Sequence, residues 1–485
     1  MERFDTVVAG GTAVLPGAGA VRADIGVRDG RIVAIADELD RSRAAEVVDA
    51  RGRVVLPGAV DAHFHIGIYR PFEVDAESET RSALVGGVTS ILSYVRTGHD
   101  YLNRVGPYRE IFPEVLRRVS GHAYTDYGFH VAIMTRDQVG EVDWLVDQGV
   151  TSFKYYMFYK ALNLAANSTD AAAYTMADEY DLGHLYLYMQ AVAAAQRRHP
   201  ETRISLGLHC ENAEIMRVGI ERAMREGTHD LATYNRARPP LSEELAVAEA
   251  GVLAAETGSN LNLLHLSSGR ALAAAERLRA EHPGLDVRAE TTLHHIALTY
   301  ETAAGGTNGK VNPPIRGADD VEALWRGIRR GTIDQVVSDH ACIDAEKPAD
   351  LWQARAGFGG TALVYPILLS EGYHRRGLPL DRVVDLVSAS PARSLGLAPR
   401  KGALAVGADA DIVVVDLERE RVVQAADLLS AQPFTPFEGM TLRGWPVLTM
   451  VRGEVAFRDG QVVGRPRGEY LHRPLAGGPT SGEGA

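Results

Sequence analysis

The stretch VDAHFH, residues 60–65, ends an apolar run that follows Pro57-Gly58 and sets His63 and His65 two positions apart. In a β-strand, side chains at i and i+2 leave the same face, so both imidazoles reach one point in space. That is a metal-binding geometry, although half-buried histidines also occur as plain core residues. A catalytic metal site draws its ligands from several elements, so the reading turns on whether other apolar runs also end in ligand-type residues. Four do: GVTSFK ends at Lys154, ISLGLH at His209, LNLLH at His265 and IDQVVSD at Asp339. An ammonium such as Lys154 is costly to bury unless something neutralises it. A buried, deprotonated lysine can react with carbon dioxide to give a carbamate, a carboxylate-like group able to bridge two metal ions.

Between these runs lie stretches with helical period, such as AEIMRVGIERAMRE (213–226) and GRALAAAERLRAEH (269–282). Alternation of this kind implies a parallel sheet with helices outside it. Functional residues at the ends of several strands point to α/β architecture of the (β/α)8 TIM-barrel type, whose active site sits at the C-terminal face. Both chain ends read differently, as short strands with tight turns at Asp29-Gly30 and Asp459-Gly460. The expected organisation is therefore residues 1–55 and 400–472 pairing into a flanking β-sandwich and 56–399 forming the barrel. Residues 473–485 form a disordered, Gly/Pro/Ser-rich tail.

The chain has 485 residues, 46% hydrophobic and 24% charged, the profile of an ordinary globular protein large enough for a barrel and a second domain. Its net charge of -12 excludes the basic footprint that nucleic-acid binding needs. Two cysteines, Cys210 and Cys342, build no disulfide framework. The absence of a signal-like N-terminus and of a membrane-length apolar run leads to the expectation of a cytoplasmic protein with no membrane partner. In that compartment Asn167-Ser168-Thr169 carries no meaning as a glycosylation site.

The ordered set HxH, Lys, His, His, Asp resembles the amidohydrolase superfamily, in the branch of hydantoinases, dihydropyrimidinases, allantoinases and dihydroorotases. GVTSFKYYMFYK (149–160) is similar to the segment carrying a carboxylated lysine, and LHCENA (208–213) and HLSSGRAL (265–272) to those of the third and fourth histidines. KVNPPIR (310–316) resembles a substrate loop, SDHA (338–341) the metal-binding aspartate segment, and 433–460 the family's C-terminal region. The resemblance implies two divalent ions, zinc in the first instance with manganese or cobalt able to replace it. His63, His65 and Asp339 would hold one ion and His209 and His265 the other, with a CO2-derived carbamate on Lys154 as bridge. It further implies a shared hydroxide attacking an amide carbonyl, with Asp339 as general base turned general acid. Tyr159 would be the oxyanion donor, and backbone groups at Asn312 would bind the substrate's ring amide.

The implied activity is opening of a cyclic ureide or imide. The alternatives are hydrolysis of a linear amide or N-acyl amino acid, and a non-catalytic scaffold relative; relatives also imply a homotetramer or homodimer. Position 67, where dihydroorotases carry an arginine and hydantoinases commonly an aspartate, is glycine. Ala356 stands where hydantoinases often present an asparagine. Arg96, after the strand-like TSILSYV, and Arg70 are candidates to bind an anionic substrate group, with a surface salt bridge as the competing reading for each. The segment 163–180 reads as a long loop after Tyr159, expected to be more mobile than the barrel.

Overall fold

The computed structural model describes residues 3–159, 180–227 and 229–475, so the segment read as a mobile loop lies almost wholly outside the described residues. Among the described residues, eight parallel strands close into a barrel. In order they are Ala59–His65, Val88–Arg96, Asp126–Ala132, Ser152–Tyr156, Ser205–His209, Leu261–Leu263, Val287–Thr292, and a last strand in two pieces, Gln335–Val337 and His340–Ala341. Gln335–Val337 pairs with the seventh strand, whereas His340 and Ala341 pair with Phe64 and His65 of the first. Sequence neighbours are sheet neighbours throughout, as right-handed strand–helix–strand units produce.

The break in the last strand is Ser338–Asp339, where Asp339 takes a left-handed backbone with φ 51°. Aspartate tolerates that conformation better than most residues. Asp61 holds the break: its carboxylate accepts from Ser338 N (3.1 Å), Ser338 Oγ (2.5 Å) and Thr361 Oγ1 (2.8 Å).

The outer helices start directly after the strand ends. Three residues beyond His209, Asn212 caps Ala213–Ala223 by accepting from Ile215 N at 3.1 Å; three beyond His265, Ser268 caps Gly269–Glu281 by accepting from Ala271 N at 3.2 Å. His209 and His265 thus sit where a strand ends and a helix N-cap follows three residues on. Ala318–Arg330 buries Val321, Leu324, Trp325 and Ile328 on one face and stops at Gly331, whose φ of 78° favours glycine.

A second sheet, of nine strands among the described residues, joins the N-terminal and C-terminal segments. Phe4–Leu15, Gly19–Arg28, Arg31–Ala36, Ala44–Asp49 and Val54–Pro57 meet Ile412–Val422, Thr441–Val451, Glu454–Arg458 and Gln461–Val462 through the antiparallel pairing of Ile412–Val415 with Val54–Pro57. Phe4–Leu15 changes parallel partner along its length, from Ala44–Asp49 to Val54–Val55. The sheet has its own core, including Val8, Ile25, Ile32, Val55, Ile412, Val414 and Met450.

The expected tail needs correction at its start. Arg473 is fully buried, donating to Ser152 Oγ at 2.9 Å and to the Phe129 carbonyl, and Leu475 N donates to Gly396 O at 2.9 Å. The segment LHRPL carries apolar and hydrogen-bonding side chains that dock across the N-terminal ends of the third and fourth barrel strands; residues 476–485 lie outside the described residues. Among the described residues, no helix is long and apolar enough to cross a membrane.

Candidate metal centre and substrate cavity

Strand alternation decides what fills the barrel. Asp61, His63 and His65 share one face of the first strand, as do Tyr94 and Arg96 on the second, Lys154 and Tyr156 on the fourth and Glu290 and Thr292 on the seventh. At the C-terminal face their side chains converge. His63 Nε2 and His65 Nε2 lie 3.1 and 3.3 Å from Asp339 Oδ1, and Lys154 Nζ lies 3.4 Å from His63 Nε2. The His209 and His265 rings are 4.3 Å apart and the His63 and His265 rings 5.3 Å apart. The structure thus brings His63, His65, Lys154, His209, His265 and Asp339 together around one cavity of about 110 Å3.

The donor set fits divalent cations. His63, His65, Asp339 offer ligand atoms all within 4.8 Å of one another. Burial lowers the pKa of His63, His65 and His265 and pushes His209 down to about 4, so these imidazoles are neutral with a lone pair available. His265 Nδ1 is buried without a hydrogen-bond partner among the described residues. Lys154, also buried, lies over the Tyr94 ring at 4.1 Å and the Tyr156 ring at 4.8 Å with no carboxylate in ion-pair contact among the described residues. Burial drives it toward the neutral amine and drives nearby Glu290 toward the neutral acid.

Two of the imidazoles, His63 and His209, are oriented from behind by carboxylates that sequence reasoning did not single out. His63 Nδ1 meets Glu290 Oε1 at 2.7 Å, and Glu290 also accepts from Gln335 Nε2 at 2.8 Å. His209 Nε2 meets Glu211 Oε2 at 2.7 Å, and Glu211 is itself gripped by both sides of the Arg238 guanidinium, with Arg238 Nε 2.9 Å from Oε1. Carboxylates behind metal-binding histidines fix ring orientation and raise ligand basicity. Below them, Tyr94 stacks on His130 at 4.3 Å, and His130 Nδ1 meets Ser152 Oγ at 2.6 Å. The signals were present: Glu211 lies two residues past His209, and Glu290 sits on the inward face of VRAETT.

The remaining cavity wall holds Tyr69, Arg96, Tyr156, Phe158, Tyr159, Val311, Asn312, Ala356 and Gly357. Tyr159 stacks on Tyr156 at 4.4 Å, and the Arg96 guanidinium lies 5.8 Å from its ring centre. Arg96 also donates to His99 O at 2.7 Å and sits 3.7 Å from Asp100. The Asn312 side chain is engaged, its Oδ1 accepting from Tyr234 OH at 2.5 Å, which leaves its backbone for a ligand.

Arg70 is not among the residues lining the cavity. It forms a cluster with Asp75 (3.2 Å), Glu79 (3.3 Å) and Cys342 (3.6 Å), and with Asp344 at 3.4 Å. Its charge faces two buried acidic side chains at 3.2–3.3 Å, the salt-bridge arrangement that is the competing reading for this residue. Asp75, Glu79 and Cys342 are also spaced as ligands, but the guanidinium occupies their centre. Gly67 has φ 79°, and a Cβ there would meet the Phe72 ring at 2.7 Å, which is why no side chain projects from that position.

The neutral histidines make stability depend on pH. Because the folded-state pKa of His209 is below its unfolded value, the unfolded chain binds more protons as pH falls from 6.5 towards 4. Stability is complete above 6.5 and is lost across that window, about 3 kcal/mol from His209 alone. The metal-free protein is expected to show a Tm that falls steeply from pH 7 to pH 4.5; a flat profile in thermal melts would contradict neutral imidazoles.

The comparisons with known proteins agree with one another. The family model "Amidohydrolase family" matches residues 54–456. The chain is 35% identical to an allantoinase of Rubrobacter xylanophilus, over 97% of this chain and 98% of the relative. It is 33% identical to a D-hydantoinase of Geobacillus stearothermophilus, over 94% of each. Among solved structures, a D-hydantoinase crystal structure superposes with TM-score 0.84 at 30% identity, over 96% of this chain and 98% of that one. A dihydropyrimidinase from Brevibacillus agri superposes with TM-score 0.84 at 26% identity, over 96% and 98%.

Proposed function

The chain belongs to the amidohydrolase family, and from that premise we propose that it hydrolyses the amide bond of a cyclic ureide or imide at a binuclear metal centre. The observation that carries the reading is the convergence of four neutral imidazoles, an amine and a carboxylate on one buried cavity. A scaffold without catalysis has no use for donors whose desolvation costs so much.

His63, His65 and Asp339 would hold one ion and His209 and His265 the other. Lys154 would bridge as a carbamate: its neutral nitrogen adds to the carbon of CO2 and a proton is released, which turns an uncompensated buried amine into an anion matched to the cations. Zinc suits this mixture of nitrogen and oxygen ligands, and manganese or cobalt could take its place. When bound, the ions supply a nucleophilic water at neutral pH and polarise the scissile carbonyl. Asp339 accepts the water's proton and delivers it to the leaving ring nitrogen. Tyr159 donates its hydroxyl to the developing oxyanion; burial raises its pKa, so it stays protonated. Backbone groups of Asn312 hold the ring amide, and Arg96 holds an anionic substituent. Ser and hydroxyl nucleophiles play no part in this scheme, so no covalent acyl-enzyme accumulates.

Tyr159→Phe is expected to lower kcat by roughly 100-fold with metal content unchanged; an unchanged kcat in steady-state assays would remove the oxyanion role. The test of the function is a panel of cyclic ureides, imides and lactams, including hydantoin, allantoin and dihydroorotate, beside linear N-acyl amino acids. Ring opening of at least one cyclic member is the expected result. Turnover confined to linear amides would overturn the reading.

We also propose a homo-oligomer. On helix Pro240–Thr257, whose exposed positions also include Glu256, positions 241, 245, 248, 252 and 255 are Leu, Leu, Ala, Val and Ala, an exposed apolar stripe at coiled-coil spacing that suits a second copy of this chain. Sedimentation should show a dimer or tetramer that Leu245→Glu weakens; a wild-type monomer would contradict this.

A further inference from the structure

Two buried lysines outside the metal group join the loops that wall the cavity. Lys310 and Lys347 are 7% and 8% exposed. Among the described residues, neither side-chain nitrogen is in ion-pair contact with a carboxylate; both donate to backbone carbonyls instead. Lys310 Nζ donates to Leu351 O at 2.7 Å and to Ala354 O at 2.6 Å. Lys347 Nζ donates back to Lys310 O at 2.9 Å and to Asn308 O at 3.1 Å, and Gly357 N donates to the same Lys310 carbonyl at 3.0 Å. Segment 308–312 is thus stitched to segment 347–357 in both directions. The first segment supplies Val311 and Asn312 to the cavity wall, the second Ala356 and Gly357.

The stitching reaches further. Lys310 lies 5.0 Å from the centre of the Tyr234 ring, and Tyr234 OH donates to Asn312 Oδ1 at 2.5 Å. Tyr69 OH donates to Ala356 O at 3.0 Å from the opposite side. A buried carbonyl deprived of its donor is penalised whether that donor is charged or neutral. Two long side chains buried to hold loop carbonyls are a costly way to fix a loop unless its position matters. Neither lysine is among the residues that line the cavity.

We propose that Lys310 and Lys347 are positioning residues that fix the spacing between Asn312 and Ala356–Gly357 and thereby select which ring substituents the cavity admits. This rests on the cyclic-amide reading, and the test separates the two. Lys310→Met and Lys347→Met are made in the full, metal-loaded chain. Amide hydrogen exchange is followed over residues 306–314 and 348–358, and kinetics are measured with unsubstituted hydantoin and with a bulky 5-substituted hydantoin.

Exchange in both segments is expected to rise together, with discrimination between the two rings falling about tenfold. KM is expected to rise while kcat for the smaller ring and the metal content stay near wild type, and Lys310→Arg should restore part of the discrimination. Unchanged exchange would overturn the proposal. So would a loss of kcat and metal with KM and ring preference unmoved, the mark of a merely structural role. Exchange that rises in both segments while the wild-type chain opens neither ring supports the stitching and removes the substrate reading instead.

Discussion

Replacing Lys154 with alanine is expected to lower ring-opening kcat/KM by roughly four orders of magnitude or more, because it removes the bridge and with it the activated water. Lys154 is fully enclosed, its nitrogen 3.4 Å from His63 Nε2 and above the faces of Tyr94 and Tyr156. Burial favours the neutral amine, which is the form that reacts with CO2. Arginine at this position keeps a cation and cannot form a carbamate, so Lys154→Arg should be as inactive as the alanine variant. A variant acting through charge alone would be rescued by arginine. Metal analysis beside the kinetics completes the test: both variants should lose bound metal relative to wild type, and a Lys154→Ala protein with full metal and near-normal turnover would end the bridging role.

Asp339→Asn should lower kcat by about a thousandfold at saturating metal, within the range for losing a general acid–base group. Asparagine preserves shape and one ligand oxygen but cannot take up the proton. The geometry makes the substitution informative. Asp339 sits in the break of the eighth strand with φ 51°, held by Asp61 through Ser338, so the asparagine side chain stays where the carboxylate was. KM should change little, since the residue acts on the proton rather than on ring recognition. A kcat within a few-fold of wild type once metal is saturating would show that Asp339 is a ligand alone.

How much of this was legible in the sequence differs by level. That these six residues would meet was legible because each closes a short apolar run, and after His209 and His265 a helix cap follows within three residues, at Asn212 and Ser268. The barrel followed from that repetition. Glu290 and Glu211 were harder, since a carboxylate on a strand or after a histidine has many ordinary uses and only the fold shows that each backs a ring nitrogen. For Arg70 the two readings stood level, because local sequence does not show that Asp75 and Glu79 on the next helix face it. Arg473 was misplaced because a short C-terminal strap has no periodicity to reveal it, and its partners Ser152 and Phe129 lie hundreds of residues away. Substrate choice was the least legible, since the wall formed by Asn312, Ala356 and Gly357 depends on contacts between two loops.

The most direct test of the metal-bridging claim is to prepare the chain with zinc and 13C-labelled bicarbonate and to measure metal per chain together with the labelled carbon by NMR. The account predicts two ions and one carbamate carbon per chain, both lost in Lys154→Ala. Wild-type protein that holds neither metal nor labelled carbon under these conditions would contradict it.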